Sequence, residues 1–374
     1  MIYIHAPFCK SKCIYCDFNS YAGVDHLIKP YVDALLNDIS KSENIFNAVE
    51  SIYIGGGTPL LIGAINIRKI LETINDRFCV AKDVEISIEA NPESINLSDL
   101  LKLRESGVNR LSIGFQSFSD KNLSLLGRIH DTKKAEESFI LARDAGFDNI
   151  NIDMIYGLPG QSLKDWEEEL ERVMTLGPEH LSLYPLSLEK GTPLKKMVED
   201  NRVDGIDEDK QAEMMEVTFN ELLKDRGRGR YRHYEISSYA IEGYDCRHNL
   251  SYWSCDDYLG FGAGAHSHRQ GMRWWNVKEI SDYIERLARG SDPKEGEERL
   301  GKESRIAESI FLGLRTMKGA DIDSIDKKFE VDILKMYESE IKGLIDNGLV
   351  ELRDTLRLTK KGEYFANWAM SVFV

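Results

Sequence analysis

From Met1 to about residue 190, short apolar or β-branched runs alternate with longer amphipathic stretches. The runs IYIHA from Ile2, SIYIG from Ser51, VEISIEA from Val84, RLSIGF from Arg110, NINIDMIYG from Asn149 and HLSLYPL from His180 predict six strands. Between them, INIRKILETIN from Ile65 and KKAEESFILARDAG from Lys133 carry the helical period, and the second closes at Gly146, a C-capping glycine. Strand and helix repeating in this order predict an α/β fold built on a parallel sheet, a partial (β/α)6 TIM-like barrel over residues 1–190. In such a barrel the chemistry belongs at the C-terminal ends of the strands.

Beyond residue 190 the pattern loosens. Residues 191–292 carry a charged helix from Asp207 to Lys224 and a Gly-rich stretch, LGFGAGAHSH, from Leu259, and are expected to extend the barrel. The segment PKEGEERLGKES from Pro293 reads as a linker. Helical patterns follow, through Arg315 and from Ile333 to Asn347. Two short strands come next, around Leu349 to Leu352 and Leu356 to Leu358, joined by an Arg353-Asp354-Thr355 turn. Helices followed by a small hairpin predict a winged-helix-like domain over residues 293–374.

Charge narrows what that domain does. The 374 residues hold 48 Lys plus Arg against 63 Asp plus Glu, a formal charge of −15, and no basic stripe marks a recognition helix. Nucleic acid is therefore not an expected partner, and the domain is expected to serve as a lid or docking surface. No run approaches the roughly 20 apolar residues of a membrane-spanning helix. The opening MIYIHAPFCK lacks the basic start and apolar core of a secretory signal. The expected location is the cytoplasm, where thiols stay reduced.

Three of the six cysteines, Cys9, Cys13 and Cys16, fall within eight residues as C-x3-C-x2-C after the first strand. Reduced thiols so clustered point to a metal or redox role. Structural zinc and ordinary [4Fe–4S] sites take four ligands, so three cysteines leave one position open. Spacing alone places iron–sulfur ahead of zinc, for which His5 or Asp17 would be a fourth ligand. Other strand ends are also polar: GGGTP at Gly55 to Pro59, Glu89 and Asn91, Gln116, with Asp153 midway along the fifth strand. Of the remaining cysteines, Cys79 reads as a core residue at a helix end.

CKSKCIYC together with GGGTP one βα unit later resembles the radical S-adenosylmethionine (SAM) superfamily. The resemblance implies a [4Fe–4S] cluster held by Cys9, Cys13 and Cys16, whose fourth iron is chelated by the methionyl group of SAM. It narrows to the branch containing oxygen-independent coproporphyrinogen III dehydrogenase and its heme-chaperone relatives. The matching stretches are IYIHAPFC, SIEANPE, IGFQSF, GRIH, NIDMIYGLPGQ and LYPLSLEKGTP. Carried over, it implies a SAM pocket formed by Tyr3, Gly56, Gly57, Thr58, Glu89, Gln116, Arg128 and Asp153. Glycines permit close backbone approach, and a guanidinium forks onto a carboxylate.

Within that branch two features favour the chaperones over the dehydrogenase. Phe18 stands where the dehydrogenases carry a further cysteine, and only eight residues precede Cys9, without their N-terminal extension. HNLSYW matches the HNxxYW motif of the chaperone group, which implies heme bound near His248, Asn249, Tyr252 and Trp253. An imidazole is a sound axial ligand, and a helix would put His248 and Tyr252 on one face. Read from the residues alone, His248 is rather a buried, hydrogen-bonded histidine in an aromatic core; the resemblance is what turns the expectation to heme. Cys246, Cys255, His266 and His268 are further ligand candidates. The expected partners are an electron donor and a heme-requiring recipient, with respiratory enzymes implied by the resemblance.

Overall fold

The computed structural model of the chain describes residues 1–223 and 231–374. Six parallel strands carry the first half: β1 (Ile2–Ala6), β2 (Val49–Gly56), β3 (Val80–Ala90), β4 (Arg110–Gln116), β5 (Ile150–Tyr156) and β6 (His180–Pro185). All six coincide with the predicted runs. The expected barrel is an open one, and its sheet is larger than six strands. β7 (Arg232–Glu235) and β8 (Ser238–Ala240) add antiparallel beyond β6, and β9 (Leu259–Phe261) adds parallel beside β1, giving the order β9-β1-β2-β3-β4-β5-β6-β8-β7. These additions are three or four residues long, too short to show a period.

Along the strands, side chains alternate between two environments. Ile2, Ile4, Ile52, Ile54, Ile86, Ile88, Leu111, Ile113, Ile150 and Ile152 are buried in one core with helix residues such as Ile67, Ile70, Leu71 and Ile74. The intervening positions, Tyr53, Glu89, Ser112, Asn151, Asp153 and Ser182, line an internal cavity instead. The barrel therefore has an apolar jacket and a polar lumen. The helix Thr132–Asp144 ends as expected, with Gly146 at φ 84°.

A two-turn helix, Arg247–Trp253, lies across the start of β2 and β3. Its first amides grip a carboxylate: the N–H groups of Arg247 and His248 each donate to Glu85 at 3.1 Å, and the Cys246 thiol to the same group at 3.7 Å. A carboxylate here satisfies donors that a helix start otherwise leaves free. His248 Nδ1 is 3.0 Å from Ser51 Oγ, and its ring stacks 5.1 Å from Tyr53. The helix thus closes the floor of the barrel.

Two sequence readings change. The segment from Pro293 is not a linker, since β12 (Lys294–Arg299) pairs with β11 (Met272–Asn276), which pairs with β10 (His266–Arg269). Its charges sit on an exposed edge strand, and Gly296 leaves room for the Trp275 ring, which a Cβ would meet at 2.5 Å. Cys79 is exposed rather than core, because Phe78 takes the buried place after the helix Ala64–Arg77. The charged helix spans Glu208–Leu222, and Lys224, its expected end, lies outside the described residues.

The C-terminal unit has its own core, with Ile306, Ile310, Leu314, Ile325, Leu344, Leu356 and Met370 buried together. Helices precede the hairpin of β13 (Val350–Leu352) and β14 (Leu356–Leu358), the winged-helix-like arrangement expected. No helix among the described residues is long and apolar enough to cross a membrane.

Candidate functional site

The cysteine loop and the glycine turn meet at the rim. Gly57 N donates to Ala6 O at 2.9 Å and Thr58 N to Phe8 O at 2.7 Å, stitching the turn after β2 to the loop after β1. A Cβ on Gly57 would lie 2.5 Å from Phe8 O and 3.0 Å from Cys9 Sγ. One on Gly56, at φ 115°, would lie 2.5 Å from the His5 ring. Only glycine fits there, and the cradle it leaves opens beside the thiols. Cys9, Cys13 and Cys16 are free, half-buried, and line the same cavity of about 440 Å³.

Gly56, Gly57, Glu89, Gln116, Arg128 and Asp153 line that cavity together with the three cysteines. Thr58 is just behind, 3.9 Å from Cys9 Sγ and accepting from Asn91 Nδ2 at 2.8 Å. Tyr3 instead lines an adjoining groove that shares Gly56, Glu89 and Phe18 with the cavity. Arg128, though far from a strand end in sequence, turns inward. Its guanidinium donates to Asn91 Oδ1 at 2.7 Å, Gly114 O at 2.9 Å and Cys13 Sγ at 3.5 Å. Gln116 has φ 69°, uncommon for a non-glycine residue, beside an irregularity in the β4–β5 pairing. Strain of this kind is costly and collects at ligand sites.

The fit to an iron–sulfur cluster and SAM rests on this chemistry. Three thiols on one loop supply soft ligands, the bare glycine backbone supplies close approach, and Glu89 and Asp153 supply acceptors within one cavity. Burial pushes Glu89 up to about 7, against its bonds from Tyr53 Oη at 2.9 Å and Gly56 N at 3.0 Å, with nearby Asp153 adding to the rise. Burial also raises Asp153, opposed by Asn151, Ser112 and Ser182. A cationic ligand would draw both back to carboxylates.

Below the rim the lumen stays polar. Asp153 is bonded to Asn151 at 2.8 Å and Ser112 at 2.9 Å; Asn151 to His180 at 2.6 Å; His180 to Tyr234 at 2.8 Å; and Tyr234 to the Cys246 amide at 3.2 Å. Rim and floor are thereby joined by side chains. Arg110, only 2% exposed, lies in the lumen with Nε unpartnered; burial works against its charge, and the Glu85 carboxylate is among the groups that favour it.

The HNLSYW residues do not form one pocket. His248 is 1% exposed, and burial lowers it to about 3, so it stays neutral in the floor. Asn249 faces the lumen and Tyr252 the adjoining groove. Trp253 faces a third groove toward the C-terminal domain, with the Arg315 guanidinium 4.4 Å from its ring centroid. His248 and Tyr252 do share a helix face, their rings 5.1 Å apart. Of the other ligand candidates, Cys246 is buried and pushed up to about 12, and His268 accepts from Gly271 N at 3.1 Å. Cys255 is half-buried and His266 exposed.

Sequence reasoning missed Tyr53, Arg110, Ser112, Asn151, Ser182 and Tyr184, all on lumen-facing positions. The signal was present as a polar residue at every second place of otherwise apolar strands.

Residues 3–173 match the radical SAM superfamily, and residues 300–365 match the HemN C-terminal domain. The heme chaperone HemW of Bacillus subtilis (strain 168) is 35% identical over 378 residues, covering 100% of this chain and 98% of that protein. The heme chaperone HemW of Escherichia coli (strain K12) is 39% identical over 270 residues, 71% of this chain and 69% of that protein. Among solved structures, coproporphyrinogen III oxidase (HemN) from Escherichia coli, a radical SAM enzyme, superposes with a TM-score of 0.85 at 24% identity. That alignment covers 100% of this chain and 89% of the other, a likeness of fold. The superfamily implies a [4Fe–4S] cluster and SAM. With identity of this order along its whole length, the chain belongs to the heme chaperone HemW family within the radical SAM superfamily.

Proposed function

We propose that this protein is a cytoplasmic heme chaperone that holds a [4Fe–4S] cluster and SAM at the barrel rim, takes up heme beside them, and passes it to a heme-requiring protein. The single observation that carries the reading is the shared cavity of three free thiols, a side-chain-free glycine turn and two half-buried carboxylates, in a chain with full-length chaperone relatives.

Cys9, Cys13 and Cys16 would hold the cluster. When bound, the cluster supplies an open iron for the methionyl amine and carboxylate of SAM and an electron from a separate donor protein. The chain's own groups do the rest. Gly56 and Gly57 admit the methionyl moiety against bare backbone, with Thr58 and Tyr3 flanking it. Glu89 and Asp153 accept from its amine or ribose hydroxyls, Gln116 orients it, and Arg128 sits between Cys13 and Asn91. The HNLSYW residues contribute to the heme region through Tyr252 on the groove, while His248 and Asn249 hold its floor and Trp253 faces the domain junction.

The test is anaerobic reconstitution followed by hemin titration and transfer to apomyoglobin as a generic acceptor. Stoichiometric heme binding and transfer are expected. Conversion of coproporphyrinogen III to protoporphyrinogen IX, with no heme bound, would replace the reading with the dehydrogenase.

A further inference from the structure

We infer that His266, rather than His248, gives its imidazole to the heme iron, in the groove beside the SAM cavity; this rests on the heme-chaperone reading above. The chain has eight histidines. His5 is bonded through both ring nitrogens, to Tyr3 Oη at 2.9 Å and Asn19 O at 2.8 Å. His130 and His180 likewise use both nitrogens. His233 is bonded to Ile236 O and faces Glu363, and His268 takes Gly271 N and faces Asp257. His248 is fixed to Ser51 in the floor, its remaining nitrogen buried without a partner. Only His26 and His266 are exposed and make no hydrogen bond among the described residues, and His26 does not line the groove beside the SAM cavity.

His266 opens β10 at one side of a groove of about 390 Å³ that shares Gly56, Glu89 and Phe18 with the SAM cavity. That volume falls among small-molecule sites. The imidazole stacks on Trp275, ring centroids 5.8 Å apart, which fixes the ring while leaving its nitrogens free. Partial desolvation against the groove wall, helped by nearby Lys278 and Arg273, holds this solvent-accessible ring below the usual histidine range, so it is neutral at pH 7 with a lone pair to give.

The other contacts suit a flat, dianionic ligand. Tyr252 and Tyr258, ring centroids 4.8 Å apart, face the groove from the floor helix and the start of β9. Phe18, 60% exposed, stands at the junction of groove and cavity and offers an apolar face. Lys278 is exposed beside His266, and Lys12, whose ammonium donates to Phe18 O at 3.0 Å and Ser20 O at 3.2 Å, keeps a third N–H near the groove mouth, so positive charge stands near where propionates would lie in a chain of net charge −15. Ligation forms one dative bond from the neutral nitrogen to iron, with no electron transferred.

The experiment is hemin titration of the reconstituted, SAM-loaded full chain, followed by Soret absorption and the ferric electron paramagnetic resonance signal. For His266→Ala, at least tenfold weaker binding and loss of the wild-type ferric signal are expected, with the signal restored by added imidazole. His26→Ala is expected to match wild type. Because His266 is exposed, the variant should keep the wild-type melting temperature, and His266→Gln serves as a second variant. Wild-type affinity and spectrum in both His266 variants, or their loss in a folded His248→Gln alone, would overturn the inference. Absence of heme binding by wild type would instead bring down the chaperone reading, and the inference with it.

Discussion

The rim and the floor of the same barrel carry the two most distinctive sequence patterns, and physical chemistry treats them in opposite ways. At the rim, three thiols are free, a glycine turn leaves a cradle, and Gln116 holds an unfavourable backbone angle. At the floor, Glu85 takes two amides and a thiol, and His248 is bonded to Ser51 and stacked on Tyr53. Unsatisfied groups around open space are what a ligand site looks like. Groups packed against one another without open space are what a joint looks like. A motif that carries a family resemblance therefore need not be wholly a site, and part of HNLSYW closes the floor of the barrel.

The largest expected effect breaks the rim. Cys13→Ala should take iron from about four per chain to background and abolish the visible cluster absorption, with far-ultraviolet circular dichroism unchanged. The complementary break is Glu85→Ala, which leaves the helix start and Arg110 uncompensated. Denaturant unfolding should show a loss of about 3–5 kcal/mol with the cluster still assembling. If Glu85→Ala lost iron as completely as Cys13→Ala, rim and floor would not be separable.

Glu89→Gln sharpens the contrast through pH. Because folding raises Glu89 from 4.5 to about 7, its contribution to stability is full below pH 4.5 and is lost as pH rises through about 7. The glutamine variant of the apo protein should therefore match wild type at pH 4.5 and exceed it by up to roughly 3 kcal/mol at pH 8, by unfolding measured at each pH. SAM binding in the same variant should weaken at least tenfold by calorimetry. Cys79→Ser, at an exposed thiol that takes part in neither the thiol cluster nor the Glu85 contacts, should change stability by no more than about 0.5 kcal/mol in the same assay.

The six barrel strands and the cysteine loop were legible because apolar runs and thiol spacing are local signals. The short strands β7 to β9 were not, since pairing rather than period makes them strands. Pro293 to Ser304 looked like a linker because an exposed edge strand is as charged as one, and the groove under Gly296 is visible only from Trp275. Arg128 could be assigned by resemblance but not by position, since a turn after a short helix brings it inward. The sequence ranked His248 above His266 through the motif alone, because burial and partner count, which decide which imidazole is free, do not show in a linear pattern.

The hydrogen-bonded row from Cys246 to Asp153 has a sense of travel. Asn151 must turn its amide NH2 toward Asp153, so its oxygen receives, and His180 must carry its proton on Nδ1. His180 Nε2 is then an acceptor, which obliges Tyr234 to give its hydroxyl proton there while receiving the Cys246 amide. Every dipole in the row leans the same way, toward Asp153. The barrel is thus polarised from floor to rim before any ligand arrives, and no single member can reverse without the others following.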